Sequence, residues 1–359
     1  MVTSVAAVAS ALVDRFNLGK AAGWDPVGLS FGDPEAAVER IAVCHEATPA
    51  VVDALIERRV DLVVSYHPLL FRPTRTLVAG KGASGRAFQL ISQGIALLTV
   101  HTAFDVAPGG TADSLAAALG LVDTVGFAPA WPAETSKIVT FVPTAAADGV
   151  TEAMAQTGAG RIGGYSHCSY RSDGHGTFLA GRSTRPAAGE VGVLHTEAEA
   201  RVEMIVSRNR VDAVVAAMIA AHPYEEPAYD VVDTRSNAGF IGRKGRLESP
   251  ATFPEFTDTV ERVLGGVIRQ TEGNRVETVA VIPGSGGSLL DTTDVDVVVT
   301  GDVSHHHARA AHERGVAVID PGHAATERPG LQALYASVAE IHTNAIDMTE
   351  LDSDPWKER

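Results

Sequence analysis

The chain has 359 residues, of which 45% are hydrophobic and 20% charged, so its composition is that of a globular protein. At roughly 150 residues per domain, it is long enough for about two to three domains. Asp and Glu (44) outnumber Lys and Arg (29), which gives a net charge of −15. This charge argues against a broad nucleic-acid-binding surface, because such a surface needs clustered cations.

The two cysteines, Cys44 and Cys168, cannot form a disulfide framework and lack C-x-x-C spacing, so we expect reduced thiols. No apolar run reaches the ~18 residues that a membrane-spanning helix needs. Near the start, apolar residues recur at helical spacing and predict an amphipathic helix rather than a signal peptide. They are Val5, Val8, Leu12 and Phe16. We therefore expect a soluble, cytoplasmic protein without a membrane partner.

The two outer parts of the chain have the same pattern of alternating strands and helices. In the first part, strands are predicted at 40–44, 60–65 and 95–100, with a helix that begins after Thr48 and another at 85–93. In the last part, helices are predicted at 253–264 and 305–313, and strands at 278–282, 296–300 and 316–320. This order predicts a largely parallel sheet with helices on its faces.

The middle of the chain has a different pattern. Strands are predicted at 137–142, 200–206 and 228–233, helices at 150–156 and 210–221, and a glycine-rich, turn-rich stretch at 158–192. The order β-α-β-β-α-β is typical of a ferredoxin-like domain. We therefore predict an α+β domain at 137–235, inserted into a core made of residues 1–130 and 245–359.

Histidine and acidic side chains follow the predicted strands at the points where the strands end. In open α/β sheets, ligands bind beyond the carboxyl ends of the strands. Two His–acid pairs have i, i+4 spacing, which places both side chains on one helix face, about 5–6 Å apart at Cβ. Imidazoles next to carboxylates suit divalent transition metals, and paired metals serve hydrolytic chemistry. The residues are His67, the pair His101 and Asp105, Asp302 with His305–His307, and the pair His323 and Glu327.

A structural role competes with metal binding for each of these histidines. A single histidine at a strand end more often makes a structural hydrogen bond. The run His305–His307 lies at a predicted helix start, where a solvated or capping role competes with a functional one. Of its three members, His306 is the one expected to point inward, where it would contact substrate or a metal ligand.

Three further motifs have both a functional and a structural interpretation. Gly284–Ser288 follows a strand and either cradles a phosphate or forms a structural turn, since it lacks the lysine of a P-loop. The loop 222–227 either binds metal or forms a rigid turn or subunit contact. Cys44 and His45 are adjacent in a strand and so point to opposite faces, which disfavours a thiolate–imidazole pair.

These residues occur in the order of a set of motifs that resemble the GTP cyclohydrolase 1 type 2 homologues, also called the NGG-interacting-factor-three-like family. The motifs in the outer segments are Trp24–Leu29, Ala47–Pro49, Ser65–Phe71, His101–Asp105, Gly301–His306 and Gly322–Arg328. The middle segment resembles the PII/CutA-like domain that some members carry. Its matching residues are Gly158–Gly163, Tyr165, Cys168, Gly174–Phe178 and Ala221–Tyr229.

The resemblance implies a dinuclear site with two divalent ions per subunit (Zn, Mn, Fe or Ni). The ligands that it implies are His67, Asp105, His323 and Glu327, with Glu327 as the bridge. His101 is then a ligand or a close neighbour of one. Tyr66 stands where the family pattern has a histidine, and a phenol with a pKa near 10 is a poorer ligand unless the metal ionises it.

The resemblance also implies a homohexameric toroid, built as a trimer of dimers, with the metal sites facing an interior cavity. We expect a metal-dependent hydrolase of a small nucleotide-like or phosphorylated substrate, in which His101 or His306 transfers the proton. The alternative is a metal-binding or regulatory ring assembly without turnover. Nucleic acid is not expected as a partner, because the net charge is negative.

Overall fold

A computed structural model describes residues 3–130, 135–162, 164–234, 239–266, 269–351 and 354–356. Its contacts divide the chain into two compact units. One unit combines residues 1–130 with residues 238–359, and the other is formed by residues 131–237.

The first stretch of the discontinuous unit alternates strands and helices. Its elements are β1 (Thr3–Ser4), α1 (Val5–Phe16), β2 (Gly28–Phe31), β3 (Ala37–Val38), β4 (Ile41–Cys44), α2 (Pro49–Glu57), β5 (Leu62–Ser65), α3 (Gly82–Ser92), β6 (Ala96–Thr99), α4 (His101–Val106), α5 (Thr111–Ala118) and β7 (Leu121–Pro129). The predicted amphipathic helix is confirmed as α1, whose four apolar positions are all buried. Thr48 caps α2 as predicted, because its side chain accepts a hydrogen bond from the Val51 amide.

The inserted unit contains β8 (Thr135–Pro143), α6 (Ala147–Gln156), β9 (Ser169–Leu179), β10 (Leu194–Ser207), α7 (Val211–Ala221) and β11 (Tyr229–Asp233). Its antiparallel sheet has the order β11-β8-β10-β9. The two helices contribute Val150, Met154, Val214 and Met218 to a core that they share with one face of this sheet.

The chain then returns to the discontinuous unit. Its remaining elements are β12 (Phe240–Thr252), α8 (Phe253–Leu264), β13 (Arg269–Gln270), β14 (Arg275–Ser285), β15 (Val297–Gly301), α9 (His305–Glu313), β16 (Ala317–Asp320), α10 (His323–Ile341) and β17 (Ala345–Asp347). Helices α8 and α9 have the predicted bounds.

The discontinuous unit contains two large sheets, and each has the parallel strands that the alternation of strands and helices predicts. Their orders are β17-β4-β5-β6-β2 and β13-β16-β15-β14-β12-β7. Strands β17, β4, β5 and β6 are parallel, as are β14, β15 and β16, whereas the other pairs in these sheets are antiparallel. Apart from β17, the parallel strands are largely buried and rich in Val, Ile and Leu, as expected for strands covered on both faces.

Several strands lie where no strand was predicted, and the two longest of them are β9 and β12. β9 falls within the glycine-rich stretch, and β12 lies between the predicted insert and the predicted helix at 253–264. β9 is an edge strand whose side chains are almost all exposed. It therefore lacks the alternation of apolar and polar residues by which a half-buried strand is recognised.

Among the described helices, none combines the length and the apolar character needed to cross a membrane.

The capping box of α8 gives a test of this local structure. Thr252 accepts a hydrogen bond from the Glu255 amide, and the Glu255 side chain accepts one from the Thr252 amide. Thr252→Ala should cost about 1 kcal/mol of unfolding free energy, because it leaves an amide of the first turn without its acceptor. Urea unfolding followed by circular dichroism measures this loss. Thr259→Ala, within the same helix, is the control, and an equal loss in both variants would contradict the capping role.

Candidate metal centre

The carboxyl ends of three neighbouring parallel strands supply one half of the site. His45 directly follows β4, Tyr66 and His67 follow β5, and His101 begins α4 just after β6. Because β4, β5 and β6 are parallel and in register, these ends meet at one edge of the sheet. The rings of His45 and His67 lie with their centroids 4.5 Å apart, and those of His67 and His101 lie 5.2 Å apart.

The other half comes from the second sheet. Helix α10 begins at His323, shortly after the end of β16, and Glu327 lies one turn further along it. Gly301, at the end of β15, allows close packing, since a Cβ there would come within 2.6 Å of the His323 backbone. Gly284 has φ +64, and a Cβ there would come within 2.6 Å of Glu327 Oε1. The Gly284 amide donates to Thr326, so the glycine-rich turn packs against α10.

The buried carboxylate of Glu327 lies at the centre of this cluster. Its Oε2 is 2.7 Å from His45 Nε2 and 3.4 Å from His67 Nε2. Its Oε1 is 3.0 Å from His323 Nε2, and it accepts a hydrogen bond of 3.5 Å from the Tyr66 hydroxyl. Glu327 itself is only 3% exposed, so its charge is neutralised by these neighbours rather than by water.

Three imidazoles of the site have a carboxylate at Nδ1, and in His67 and His323 the Nε2 atom faces Glu327 as well. The Nδ1 atom of His67 is 3.0 Å from Glu46, that of His101 is 2.9 Å from Asp25, and that of His323 is 2.7 Å from Asp302. A carboxylate at one nitrogen favours the proton on that nitrogen, which leaves Nε2 with a lone pair for a cation. This pairing thus holds two imidazoles that contact Glu327 and a third, His101, that borders them.

The backbone is strained at two of these positions. His101 has φ 28 and Asp302 has φ 52, although neither is glycine. Positive φ values of this kind cost of order 1–3 kcal/mol and cluster at functional sites. The neighbouring contacts hold both residues in place, since the Thr102 amide and hydroxyl donate to Asp25 and the Asp302 carboxylate pairs with His323.

Glu327 and the outer carboxylates raise the affinity of His67 and His323 for protons. Burial alone would lower the pKa of His67, but its hydrogen bonds to Glu327 and Glu46 raise that pKa to about 10. The pKa of His323 rises to about 9, because Glu327 and Asp302 outweigh the effect of burial. Burial would also raise the pKa of Glu327, yet the surrounding imidazoles hold it well below its ordinary value. In the metal-free chain, protons therefore occupy positions where a cation would compete with them.

Tyr66 is fully buried and acts as a hydrogen-bond donor. Its hydroxyl donates to Asp105 Oδ1 at 2.6 Å. Burial raises the pKa of Tyr66 well above its usual value, and the charges of Asp105 and Glu327 raise it further. Burial also raises the pKa of Asp105, to about 6. Without a metal, Tyr66 therefore remains a neutral phenol that positions Asp105.

The structure brings five of the predicted metal ligands into one cluster, joined by contacts to Glu327 or through Tyr66. They are Tyr66, His67, Asp105, His323 and Glu327. His101 borders this cluster through its ring contacts with Tyr66 and His67.

His306 does not join this cluster among the described residues, because it is exposed on α9 and its ring lies against His305. The expectation that His306 points inward is thus wrong, since α9 presents that side chain to solvent.

His45 belongs to the cluster although it was not predicted to do so. From the sequence it was considered only as a partner for Cys44, yet it is 3% exposed and lies against Glu327. A signal was present, since His45 immediately follows a buried strand that is parallel to the strand before Tyr66. His45 supplies an imidazole next to the position where Tyr66 replaces the expected histidine.

The donor set fits a divalent metal. One ligand atom from each of His45, His67 and Glu327 lies within 4.8 Å of the others. Ligands bonded to one cation at about 2.0–2.2 Å lie about 3–3.5 Å apart, and Glu327 Oε2 lies 2.7 Å from His45 Nε2 and 3.4 Å from His67 Nε2. Nitrogen and oxygen donors in this mixture suit Zn, Mn, Fe or Ni.

The raised imidazole pKa values predict how stability depends on pH when no metal is bound. A histidine whose folded pKa exceeds its unfolded value of 6.5 stabilises the fold below that value. This stabilisation is lost as the pH rises towards about 9 for His323. Urea unfolding in EDTA should therefore show that His323→Gln is most destabilising at acidic pH and approaches the wild type at alkaline pH. His306→Gln is the control, and a difference between His323→Gln and wild type that does not change with pH would contradict the coupling.

The chain is similar to known proteins over almost its whole length. The family described as Duf34/NIF3 (NGG1p interacting factor 3) matches residues 3–355. A protein of Mycobacterium tuberculosis named "GTP cyclohydrolase 1 type 2 homolog" is 39% identical over 355 residues, which cover 94% of this chain and 92% of that protein. A protein of Bacillus subtilis with the same name is 36% identical and covers 92% of both chains.

Solved structures show the same fold. A Bacillus cereus protein described as related to NIF3 superposes with a TM-score of 0.66 and 31% identity, and covers 100% of both chains. A Staphylococcus aureus protein gives a TM-score of 0.64 at 23% identity and covers 99% of both chains. The fold is therefore a mixed α/β fold of the NIF3 type, and the chain belongs to the DUF34/NIF3 family.

Proposed function

We propose that this protein is a divalent-metal-dependent hydrolase whose metal centre is organised by Glu327. One observation carries the proposal: the buried Glu327 carboxylate contacts the imidazoles of His45, His67 and His323. A further carboxylate lies at Nδ1 of His67 and of His323, and the neighbouring His101 has one at Nδ1 too. His45 and His67 would hold a cation together with Glu327 Oε2. His323 and Asp105, near Glu327 Oε1, would hold a second one.

When bound, a divalent cation supplies a Lewis acid that polarises a substrate oxygen and lowers the pKa of water. The residues of the chain perform the remaining tasks. Asp25 holds His101 Nδ1, so His101 Nε2 can accept a proton from water and return it to the leaving group. Asp302 and Glu46 hold His323 and His67 in fixed orientations.

The substrate class that we propose is a small nucleotide-like or phosphorylated molecule. The two relatives that the comparisons name as GTP cyclohydrolase 1 type 2 homologs support this choice, since their name refers to hydrolysis of a purine nucleotide. The buried, strand-end position of the cluster also favours a small molecule over a polymer. GTP itself is one member of the proposed class.

Glu327→Gln tests the metal centre. The amide keeps the size of the side chain but removes the charge that faces His45, His67 and His323, so Zn²⁺ binding should weaken by more than about 100-fold. Elemental analysis after Zn²⁺ reconstitution and gel filtration measures bound metal. The matched control is His306→Gln, which should retain the wild-type metal content. Equal metal in Glu327→Gln and the wild type would exclude this centre.

Asp25→Asn tests whether His101 handles a proton. The variant removes the carboxylate at His101 Nδ1, so turnover should fall by about 10–100-fold while most of the metal is retained. The measurement is hydrolysis of a panel of purine nucleotides and phosphate monoesters by the metal-loaded protein. Asp33→Asn is the control, since Asp33 lies in an exposed turn and accepts from the Glu35 amide. Unchanged turnover in Asp25→Asn would assign Asp25 a structural role alone.

A metal-binding or regulatory ring without turnover is the second candidate, and the inserted unit favours it. This unit exposes large apolar side chains, with Tyr170 67% exposed on β9 and Leu194 69% exposed on β10. Large apolar side chains that are exposed close to one another mark surfaces for association with other proteins. We propose that further copies of the chain cover them in a homohexameric toroid, and that the insert is a PII/CutA-like domain, as its sheet order supports.

Two measurements separate the candidates. Sedimentation velocity should give the mass of a hexamer, and Leu194→Asp, which places a charge on the exposed apolar surface, should reduce that mass. A hexamer that binds metal but hydrolyses no member of the substrate panel supports the regulatory ring. A metal-loaded monomer that hydrolyses a member of the panel would exclude the regulatory ring and support the hydrolase.

A further inference from the structure

The inserted unit contains a cavity of about 660 Å³ whose lining shares no residue with the metal centre. Residues between 141 and 228 line it, including the two motifs of the insert that the proposed hydrolase does not use. These motifs are Gly174–Phe178 on β9 and the loop 222–227. On β10, Ala200 and Val202 belong to the core under the helices, whereas Glu199 and Arg201 line the cavity. The cavity therefore lies on the sheet face opposite α6 and α7.

A buried carboxylate lies in the wall of this cavity. Glu199 is 9% exposed, and its Oε1 accepts a hydrogen bond of 2.8 Å from the Tyr224 hydroxyl. Burial and the proximity of Glu199 raise the pKa of Tyr224, which keeps its hydroxyl a donor. Within the described ranges, no hydrogen bond reaches Glu199 Oε2. Glu199 lines the cavity, so a donor or a cation that enters the cavity can pair with this second oxygen of a largely buried carboxylate.

Gly176 gives this carboxylate its space. A Cβ at Gly176 would lie 2.1 Å from Glu199 Oε2, so the unused oxygen rests directly against the glycine. Both residues line the cavity. A side chain at position 176 would displace the carboxylate, and the cost to folding would be small because only the end of a side chain must move.

The remaining walls favour an organic cation. Phe141, Phe178 and Tyr224 line the cavity, and the rings of Phe178 and Tyr224 lie 6.0 Å apart. Aromatic faces attract ammonium groups, whereas a bare metal ion needs several oxygen donors that converge.

The ionisable residues of the lining have an excess of negative charge. Four carboxylates and two guanidinium groups contribute to it: Asp173, Glu199, Glu225, Glu226, Arg185 and Arg201. Arg201 is paired with Glu203 at 2.9 Å, which reduces its effect on the cavity.

We propose that this cavity binds a small organic amine, whose ammonium group pairs with Glu199 and whose apolar part packs against the aromatic rings. This site is independent of the metal centre, because none of its lining residues belongs to that centre. It gives the inserted unit a ligand-binding role of its own.

Isothermal titration of the full-length, metal-loaded protein with benzylamine tests the proposal, with benzyl alcohol as the neutral comparison. Benzylamine should bind at least about tenfold more tightly, because a charge-assisted hydrogen bond to a buried carboxylate contributes about that much. Equal binding of both compounds, or no binding of benzylamine at millimolar concentration, would overturn the proposal.

Variants locate the site. Glu199→Gln should weaken benzylamine binding about tenfold and leave benzyl alcohol binding unchanged. Gly176→Ala should weaken benzylamine binding in the same way, and it provides a second test should Glu199→Gln fail to fold. Glu197→Gln is the matched control, because Glu197 lies two residues away on the same face of β10 and pairs with His195 instead. Unchanged binding in both Glu199→Gln and Gly176→Ala would place the amine elsewhere.

Discussion

The burial of one negative charge, that of Glu327, is the constraint on which the rest of the metal centre depends. A carboxylate that is 3% exposed must be neutralised from within the protein, and imidazole groups do so here. Outer carboxylates in turn hold three of the imidazoles in the site by their Nδ1 atoms. In the absence of metal the imidazoles carry the compensating protons, and a cation would replace those protons. The same contacts therefore stabilise the metal-free fold and prepare the site for metal.

The two sheets of the discontinuous unit explain how residues almost 300 positions apart in sequence meet at one point. Each sheet has parallel strands at its centre, and parallel strands present all their carboxyl ends at one edge. His45 and His67 lie at one such edge, and His323 and Glu327 follow the edge of the other sheet. Gly284 and Gly301 allow α10 to approach closely enough for Glu327 to face the imidazoles. The chain thus uses glycine where the second sheet contacts the site.

Much of the fold and part of the site were predictable, because the parallel strands are continuous apolar runs that end in polar residues. The pairs His101–Asp105 and His323–Glu327 were recognisable from their i, i+4 spacing, which places both side chains on one helix face. β9 was not predictable, since an edge strand with both faces exposed has no apolar periodicity. The inward role expected of His306 failed because spacing does not define which way a residue at a helix start points. His45 also follows a predicted strand end, but it was missed because it was considered only as a partner for Cys44.

The most direct test of the role of Glu327 is anomalous diffraction at the zinc absorption edge from a crystal of the Zn²⁺-loaded protein. We expect a peak within bonding distance, about 2.0–2.2 Å, of a Glu327 oxygen and of at least one nitrogen of His45 or His67. Fully loaded protein whose peaks all lie away from Glu327 would contradict the conclusion that this carboxylate organises the metal centre.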